Sequence, residues 1–522
     1  GHTRWATHGG VCVANAHPHQ DCQLRLSVVH NGIIENAEEL RSELSPSGHV
    51  FASEVDSEII CHLVEDQLRL TSDLLAAVTQ SVSRLRGSWA FVILDGLTHR
   101  MVAAAHRSPL LAARSHTGLF LASDLAAFGA GVEDFYIVND GDIVEVTDDF
   151  VWTHDGSPIP APHAIACPPR TIGRAALDGN HHMADEIDEQ PEAAARILQD
   201  IGGGIADGGL WRGLGLPPFD RLRVLACGTS LNAGHVIGAA LGRLGGLASS
   251  CVVASEAAGT VVESGTLTLA ISQSGETADV LRAIDEGSDN DPILALVNNT
   301  HSTLARSVDA AIGCAAGAEI GVAATKTFVC QVLVGTGLVI SALFDRGRIT
   351  RGRARELVDD LYGTPERLAA AIAAAHSRVP AIVDEVFDAS GFLFLGRGAG
   401  VPYASEGALK VKELSYRWAE AYPAGELKHG PLALVENGTP VIAIDDGDPR
   451  LRGNIAEVQA RGGVIICVGG PGSRIEIPLS TLAPCGPLEA VVPLQFLALT
   501  LADRLGHDVD KPRNLAKSVT VD

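Results

Sequence analysis

A short charged segment, EGALKVKE, is the first candidate for chemistry in this sequence. Glu406, Lys410 and Glu413 lie at i, i+4 and i+7, so a helix would present all three side chains on one face. Just downstream, AGELKHGPLAL brings His429 next to an apolar run. Histidine titrates nearest neutral pH, and carboxylates close to lysines can be tuned as bases. The pattern predicts either a solvated ion pair on a helix surface or a group of residues that moves protons.

The C-terminal stretch DKPRNLAKSVTVD contains a second reactive group, the amine of Lys517. A proline and a polar cluster followed by an apolar tail are often a frayed end. A lysine that folds back over a site can instead be buried, and burial lowers the pKa of its ammonium group enough for the amine to form a Schiff base with a carbonyl. The composition of this stretch is compatible with both interpretations.

Two turns rich in serine and threonine predict an anion site. SQSGET (272–277) follows an apolar strand pattern and precedes a helical one, and CGTS (227–230) has the same setting. Such turns direct backbone N–H groups and hydroxyls at one point beside the positive end of a helix dipole, which suits phosphate. N-capping and turn formation explain serine and threonine there about as well.

An internal duplication distinguishes these explanations. The segment at 221–241 is echoed at 391–411, that at 266–284 at 439–458, and that at 292–299 at 463–470. Where the first copy has SQSGET, the second has IDDGDPR, and two aspartates there would repel phosphate. We therefore expect only the first copy to bind the anion.

The order of apolar and helical segments predicts a multidomain protein of α/β and α+β type. Residues 1–150 have short strands, tight turns and two amphipathic helices, typical of a layered α+β domain with antiparallel sheets. A proline-rich stretch places a linker at 151–190. The duplicated unit then forms domains at 191–345 and 346–522, each with a doubly wound parallel sheet covered on both faces.

Charge and cysteine content exclude several classes of partner. The 522 residues include 39 basic and 63 acidic side chains, a net charge of −24, so neither nucleic acid nor an anionic membrane is an expected partner. No signal peptide and no run of about 18 apolar residues is evident. The ten cysteines show neither a CxxC pair nor metal-ligand spacing. We expect reduced, buried thiols in a cytoplasmic protein, with no metal and no cofactor.

Taken together, the motifs resemble the glutamine–fructose-6-phosphate aminotransferase family along the whole chain. SQSGET, EIGVAATKTF, EGALKVKELSY, AGELKHGPLAL and PRNLAKSVTV are similar to its isomerase half, which consists of two sugar-isomerase (SIS) domains. GHTRWATHG, NAHPH, VVHNGIIEN and EVDSEI are similar to its class II glutamine amidotransferase domain, an αββα fold with an N-terminal nucleophile. HHMADEIDEQP resembles the segment that joins the halves.

The resemblance implies the synthesis of glucosamine 6-phosphate and glutamate from fructose 6-phosphate and glutamine. Lys517 would form the Schiff base with the C2 ketone, Glu413 would move the proton between C1 and C2, and His429 would assist ring opening from the neighbouring subunit of a homodimer. Lys410 and Glu406 would support Glu413. The residues implied in sugar-phosphate binding are Thr229, Ser230, Ser272, Gln273, Ser274, Thr277 and, through its backbone, Val322.

The resemblance also implies a glutamine site. Asn31 and Gly32 would form an oxyanion hole. The residues implied in holding glutamine itself are Arg4, Trp5, Thr7, His8 and Asp56. The family's nucleophile is a cysteine at the mature N-terminus, whereas position 1 here is glycine, so we expect an N-terminally truncated fragment that has lost the glutaminase step. Cys12 and Cys22 are not expected to replace the nucleophile, because no free amine would activate them.

A binding regulator and an enzyme of the reverse direction are the two alternatives to this function. SIS domains also occur in regulators that bind sugar phosphates without turnover. Such a module needs the SQSGET turn but has no use for Lys517, Glu413 and His429 together. A relative that runs the reaction in the deaminating or deglycating direction has no use for a glutaminase-type half.

Overall fold

The computed structural model describes residues 10, 12–128, 131–167, 181–287 and 291–519. The chain divides into two compact units. The first comprises residues 1–170 together with 276–278 and 518–522, and the second comprises residues 171–275 and 279–517.

The first unit contains two antiparallel sheets. The larger has seven strands in the order β1-β2-β3-β4-β8-β9-β10, and the smaller has four in the order β11-β7-β5-β6. Helix α2 packs on β2, and their apolar faces form one core with residues of β3 and α3. The elements are β1 (His19–Gln20), β2 (Leu26–Ile34), α1 (Ala37–Leu44), α2 (Ser57–Thr71), α3 (Leu74–Val82), β3 (Gly87–Asp95), β4 (Met101–His106), β5 (Leu111–Ser115), β6 (Gly118–Ala122), β7 (Asp134–Ile137), β8 (Asp142–Val146), β9 (Phe150–His154), β10 (Ser157–Pro158) and β11 (Ile165–Ala166).

The remaining helices and strands begin at residue 182. They are α4 (His182–Asp188), α5 (Gln190–Ile205), α6 (Gly209–Arg212), β12 (Arg221–Ala226), α7 (Gly228–Gly245), β13 (Ala248–Val253), β14 (Thr266–Ser272), α8 (Ala278–Asp285), β15 (Ile293–Val297), α9 (Thr303–Arg306), β16 (Ala310–Gly313), α10 (Lys326–Asp345), α11 (Arg351–Tyr362), α12 (Thr364–Val386), β17 (Gly391–Gly396), α13 (Val401–Ser415), β18 (Trp418–Pro423), β19 (Pro440–Asp445), α14 (Arg450–Gln459), β20 (Val464–Gly469), β21 (Ile475–Glu476) and α15 (Val491–Arg504).

The predicted duplication is confirmed by the two parallel sheets of the second unit. Their strand orders are β13-β12-β14-β15-β16 and β18-β17-β19-β20-β21, so each copy follows the same doubly wound order. The strand-to-helix pair β12-α7 corresponds to β17-α13, and β14 corresponds to β19. In both copies the turns predicted to carry chemistry follow the carboxyl ends of neighbouring strands, where doubly wound sheets bind ligands.

Helix α10 lies in the core of the second unit. In the described part of the chain it is the one helix long and apolar enough to cross a membrane. Because 94% of its apolar stretch is buried inside the protein, where it packs on α5 and α7, this helix has the burial expected of a core element.

Two sequence predictions need correction. The linker placed at 151–190 is shorter than predicted, because β9, β10 and β11 pair within the sheets of the first unit and α4 is helical. Pro158 is tolerated in β10 because β10 is the edge strand of the larger sheet, where a ladder position can lack an N–H. The thiols are not uniformly buried, since Cys12 and Cys22 are exposed; none of the ten cysteines forms a disulfide.

Candidate active site

The predicted acid/base helix is α13, and its charged residues are buried. The Lys410 side chain is only 1% exposed, and its Nζ lies 3.4 Å from Glu406 Oε1 and 2.6 Å from Glu413 Oε2. Burial lowers the pKa of Lys410, but the two carboxylates outweigh this effect and raise it overall. Burial raises the pKa of Glu406. A solvated surface ion pair, one of the two interpretations of EGALKVKE, does not fit this burial.

The second copy is joined to the first through Glu406. Thr229 Oγ1, in the first turn of α7, donates to Glu406 Oε1 at 3.0 Å, and Asn232 Nδ2 donates to Glu406 Oε2 at 2.8 Å. Lys410 Nζ in turn donates to Thr229 Oγ1 at 3.0 Å. The CGTS turn therefore helps to fix α13, a contact that sequence reasoning missed. Asn232 had no signal in the sequence, since its importance depends on the packing of α7 against α13.

The SQSGET turn adopts a conformation that requires glycine. Gly275 has φ +70°, and a Cβ there would lie 2.0 Å from Ser302 Oγ. The Gly275 N–H donates to Ser272 Oγ at 2.9 Å, which holds the turn closed, and Thr277 follows directly before α8 begins at Ala278. Within the first unit the Ala278 N–H donates to the Val519 carbonyl at 3.0 Å.

The other residues predicted to hold phosphate differ in their burial and hydrogen-bond partners. Gln273 and Ser274 are half-buried at the end of β14, and Ser230 Oγ accepts from Gln331 Nε2 at 3.1 Å. In the second copy, the Asp445 carboxylate accepts from the Gly447 N–H at 2.9 Å, and burial raises the pKa of Asp446.

Lys517 is held by the segment EIGVAAT and is not a frayed end. Its Nζ donates to Glu319 Oε2 at 2.6 Å and to the Gly321 carbonyl at 2.8 Å, and the side chain remains 25% exposed. Glu319 is fully buried. Burial opposes its ionisation, but Lys517 and the N–H groups of Thr325 and Thr327 lower its pKa to about 2. The lysine is thus paired with a buried carboxylate, and its release from that pair must precede attack on a carbonyl.

A backbone contact brings Val322 to the same place. Its N–H donates to the Asp510 carbonyl at 3.1 Å, next to the Gly321 carbonyl that accepts from Lys517.

Glu186 on α4 is a buried neighbour of this pair that sequence reasoning missed. Its carboxylate accepts from the backbone N–H groups of Ile320 and of Gly321, the latter at 3.3 Å. Burial and then the charge of Glu319 raise the pKa of Glu186 to about 7, against the opposing charges of Lys517 and Lys326. HHMADEIDEQP was noticed only as a joining segment, and its acidic residues offered no sign of which one would be buried.

We expect Glu186→Gln to flatten the pH dependence of stability. Because the folded-state pKa of about 7 exceeds the ordinary 4.5, the stability that protonated Glu186 contributes is present below pH 4.5 and is lost as the pH rises through 7. Wild type loses this stability and the variant does not. The free energy of unfolding of Glu186→Gln minus that of wild type should therefore increase by roughly 2–3 kcal/mol between pH 4.5 and 8. Urea unfolding across this range measures the difference.

Glu192→Gln is the matched control, since Glu192 is exposed on the adjacent α5. If Glu186→Gln and Glu192→Gln follow the wild-type pH profile equally, Glu186 does not titrate as the structure indicates.

The described part of the predicted glutamine site lies at the junction of β2 and α2. Asp56 Oδ2 accepts from the Ile34 N–H at 2.8 Å, and His30 Nδ1 lies 2.8 Å from Ser57 Oγ. These bonds tie the end of β2, with Asn31 and Gly32, to the start of α2. Gly32 has φ +122°, and a Cβ there would meet the Ser88 carbonyl at 2.0 Å, so only glycine fits. The predicted residues Arg4, Trp5, Thr7 and His8 lie outside the described residues.

His429 lies at the end of a 3-10 turn, Ala424–His429, and its side chain is exposed. Among the described residues no hydrogen bond or ion pair is found for its ring. The position therefore leaves the imidazole available to another molecule.

Comparisons with known proteins cover the whole chain. Residues 4–130 match the glutamine amidotransferase domain family, and residues 218–341 and 385–475 match the SIS domain family. The glutamine–fructose-6-phosphate aminotransferase (isomerizing) of Halobacterium salinarum is 41% identical over 544 residues, which cover 100% of this chain and 89% of that protein. The protein of the same name from Thermus thermophilus is 39% identical over 542 residues, with coverages of 100% and 89%.

Solved structures resemble the part that contains the two parallel sheets. The C-terminal domain of glucosamine-fructose-6-phosphate aminotransferase from Francisella tularensis aligns with a TM-score of 0.58 at 33% identity, covering 65% of this chain and 100% of that domain. A tagatose-6-phosphate ketose/aldose isomerase from Escherichia coli shares the fold, with a TM-score of 0.53 at 18% identity, covering 65% and 96% of the two chains. With its amidotransferase and SIS domains and its full-length relatives, the chain belongs to the glutamine–fructose-6-phosphate aminotransferase (isomerizing) family.

Proposed function

We propose that this chain belongs to an enzyme that converts D-fructose 6-phosphate and L-glutamine to D-glucosamine 6-phosphate and L-glutamate, an early step of amino-sugar synthesis, and that the residues described here carry the steps that use ammonia. Full-length relatives carry the name of this activity. The observation that supports it most strongly is that a paired lysine, Lys517, and the buried acid/base group of α13 lie in the same unit as residues 272–275 of the SQSGET turn. An amine, a base and an anion-binding turn are what amination and isomerisation of a keto sugar phosphate need.

The proposed chemistry is redox neutral. The Nζ of Lys517, once released from Glu319, adds to the C2 carbonyl of open-chain fructose 6-phosphate, and water leaves as the imine forms. Ammonia then replaces the lysine at C2 and frees its amine. Glu413 takes a proton from C1 and returns one to C2, while the proton of the C1 hydroxyl passes to the nitrogen on C2, so that C1 becomes the aldehyde and the imine becomes the amine. Sugar and ammonia thus give glucosamine 6-phosphate and water.

The buried groups of α13 have a clear role in this scheme. Lys410 is held between Glu406 and Glu413, so its charge offsets both carboxylates inside the protein. Glu413 is the more exposed of the two, at 22% against 0%, and it is therefore the carboxylate that can reach substrate. Glu406, bonded to Thr229 and Asn232, holds the lysine in place.

This burial favours the enzyme over a regulator that only binds sugar phosphate. Moving an ion from water into a protein interior costs several kcal/mol of free energy, and pairing with an opposite charge is needed to offset this cost. A binding module would gain nothing from that arrangement, because the turn binds phosphate through backbone and hydroxyl groups. A regulator would bind fructose 6-phosphate without producing glucosamine 6-phosphate. Incubating the chain with fructose 6-phosphate and either glutamine or ammonium, and measuring the product, distinguishes the two.

We also propose how the protein assembles and where it is located. The exposed ring of His429 is suited to a neighbouring subunit's site, so we include a homodimer in which His429 assists ring opening there. The ten free thiols fit the reducing cytoplasm.

We expect Ser274→Asp to weaken fructose 6-phosphate binding. A carboxylate in the SQSGET turn would face the substrate phosphate, and like charges brought together cost several kcal/mol. The KM for fructose 6-phosphate should rise by about 100-fold, equivalent to about 2.7 kcal/mol. Steady-state kinetics with varied sugar phosphate measures it.

The control is Asp445→Asn in the equivalent turn of the second copy, where an amide oxygen can still accept from the Gly447 N–H. Its KM should stay at the wild-type value. Equal increases in KM for Ser274→Asp and Asp445→Asn would show that the first-copy turn is not the specific phosphate site.

A further inference from the structure

Four side chains that commonly bind transition metals meet in the first unit. They are Cys22, His49, His62 and Glu65, and each offers one donor atom within 4.8 Å of the other three. Three separate segments supply them. Cys22 lies in the turn between β1 and β2, His49 follows α1, and the other two lie one turn apart on α2.

Four of the six distances between donor atoms match the edges of a tetrahedron around zinc, and all six are within 4.8 Å. Zn–S of about 2.3 Å and Zn–N and Zn–O of about 2.0–2.1 Å give N···S edges of about 3.5 Å and N···O edges of about 3.3 Å at tetrahedral angles. Cys22 Sγ lies 3.5 Å from His49 Nδ1 and 3.6 Å from His62 Nδ1. Glu65 Oε2 lies 3.2 Å from His49 Nδ1 and 3.5 Å from His62 Nδ1.

The outer contacts orient both imidazoles toward this point. His49 Nε2 lies 2.9 Å from Asp66 Oδ1, and His62 Nε2 lies 3.4 Å from Glu58 Oε1. A carboxylate on the far ring nitrogen places the proton there and leaves the Nδ1 lone pair for a metal, as in many zinc sites.

Neighbouring N–H groups and Arg69 also hold the Cys22 sulfur and the Glu65 carboxylate in position. The Val50 N–H donates to Cys22 Sγ at 3.5 Å, the Cys22 N–H donates to Glu65 Oε2 at 3.3 Å, and Arg69 binds the other Glu65 oxygen. The side chains of His49, His62 and Glu65 are at most 5% exposed, while Cys22 is exposed and leaves a path for an ion.

We propose that Cys22, His49, His62 and Glu65 form a structural zinc site in the amidotransferase unit. Two neutral imidazoles, a thiolate and a carboxylate carry a total charge of −2, which a divalent ion neutralises. Mixed sulfur, nitrogen and oxygen donors in four-coordinate geometry favour Zn²⁺ over Mg²⁺ or Ca²⁺, which take oxygen ligands in larger numbers. All four positions are filled by protein, so the ion is structural and fastens two loops to α2, the helix that begins beside Asp56.

The first test is metal content and the spectrum of the cobalt-substituted chain. The full chain, purified without a metal-affinity tag, should contain about one zinc per molecule. After chelation, one equivalent of Co²⁺ should give intense visible bands of a tetrahedral site and a thiolate-to-cobalt charge-transfer band. A wild-type chain that takes up no zinc, or that binds Co²⁺ with only the weak spectrum of an octahedral ion, would overturn the proposal.

Variants identify the ligands. Cys22→Ser should lose the charge-transfer band and bind Co²⁺ at least tenfold more weakly, and Asp66→Asn should weaken binding by about 10–100-fold while keeping that band. Cys12→Ser changes another exposed thiol of the same unit and should match wild type. A charge-transfer band that survives in Cys22→Ser, or disappears in Cys12→Ser, would contradict the assignment. The wild-type spectrum decides the proposal even where Cys22→Ser does not fold.

Discussion

Replacing Lys517 by alanine should abolish glucosamine 6-phosphate formation. Without Nζ no imine can form at C2, so we expect kcat to fall by about 10⁴-fold or more, as when a covalent catalyst is removed from its enzyme. Fructose 6-phosphate binding should persist, because the SQSGET turn is unchanged. Product assays together with equilibrium binding of fructose 6-phosphate separate the two effects.

Because Lys517 also pairs with Glu319, the alanine variant must be compared with Lys517→Arg. Alanine leaves the fully buried Glu319 carboxylate without its cation, and breaking such a pair costs about 2–3 kcal/mol once the partial exposure of the lysine is allowed for. Arginine keeps the cation but cannot form the imine. Both variants should be inactive, whereas only the alanine variant should lose stability. Turnover by Lys517→Arg near the wild-type rate would remove the Schiff-base role.

Glu413→Gln should stop proton transfer between C1 and C2. The amide is similar in size to the carboxylate but cannot accept the C1 proton, and loss of a general base typically costs 10²–10⁴-fold in rate. The fold should tolerate the change, because Lys410 keeps Glu406 as its partner. In deuterated water, exchange of the C1 hydrogen of fructose 6-phosphate measures this step directly.

Glu420→Gln supplies the control for Glu413→Gln. Glu420 lies on β18, its side chain is 48% exposed, and its carboxylate lies 4.0 Å from Lys412 Nζ. Its exchange rate should equal that of wild type. Wild-type C1 exchange in Glu413→Gln would show that another group is the base.

Periodicity and turn chemistry predicted much of the fold. The alternation of apolar strand and glycine turn identified both parallel sheets, because buried parallel strands are continuous apolar runs. The spacing of Glu406, Lys410 and Glu413 identified the charged face of α13, and the difference between SQSGET and IDDGDPR favoured the first copy as the phosphate site.

What the sequence could not predict depends on contacts between distant segments. Asn232 matters because α7 packs against α13, and Glu319 because the C-terminal chain returns to it with Lys517. Glu186 is one of several acidic residues in its segment, and only burial beside Glu319 raises its pKa. The cluster around Cys22 escaped a search for metal-ligand spacing because its ligands come from two loops and a helix.

The amine of Lys517 is expected to form an imine with the keto group of fructose 6-phosphate. Incubating the chain with this sugar, reducing with borohydride and mapping peptides by mass spectrometry tests it most directly. We expect one hexitol phosphate adduct per chain, located on Lys517, and none in Lys517→Arg. Reduction that leaves Lys517 unmodified, or that labels another lysine to the same extent in both proteins, would contradict it.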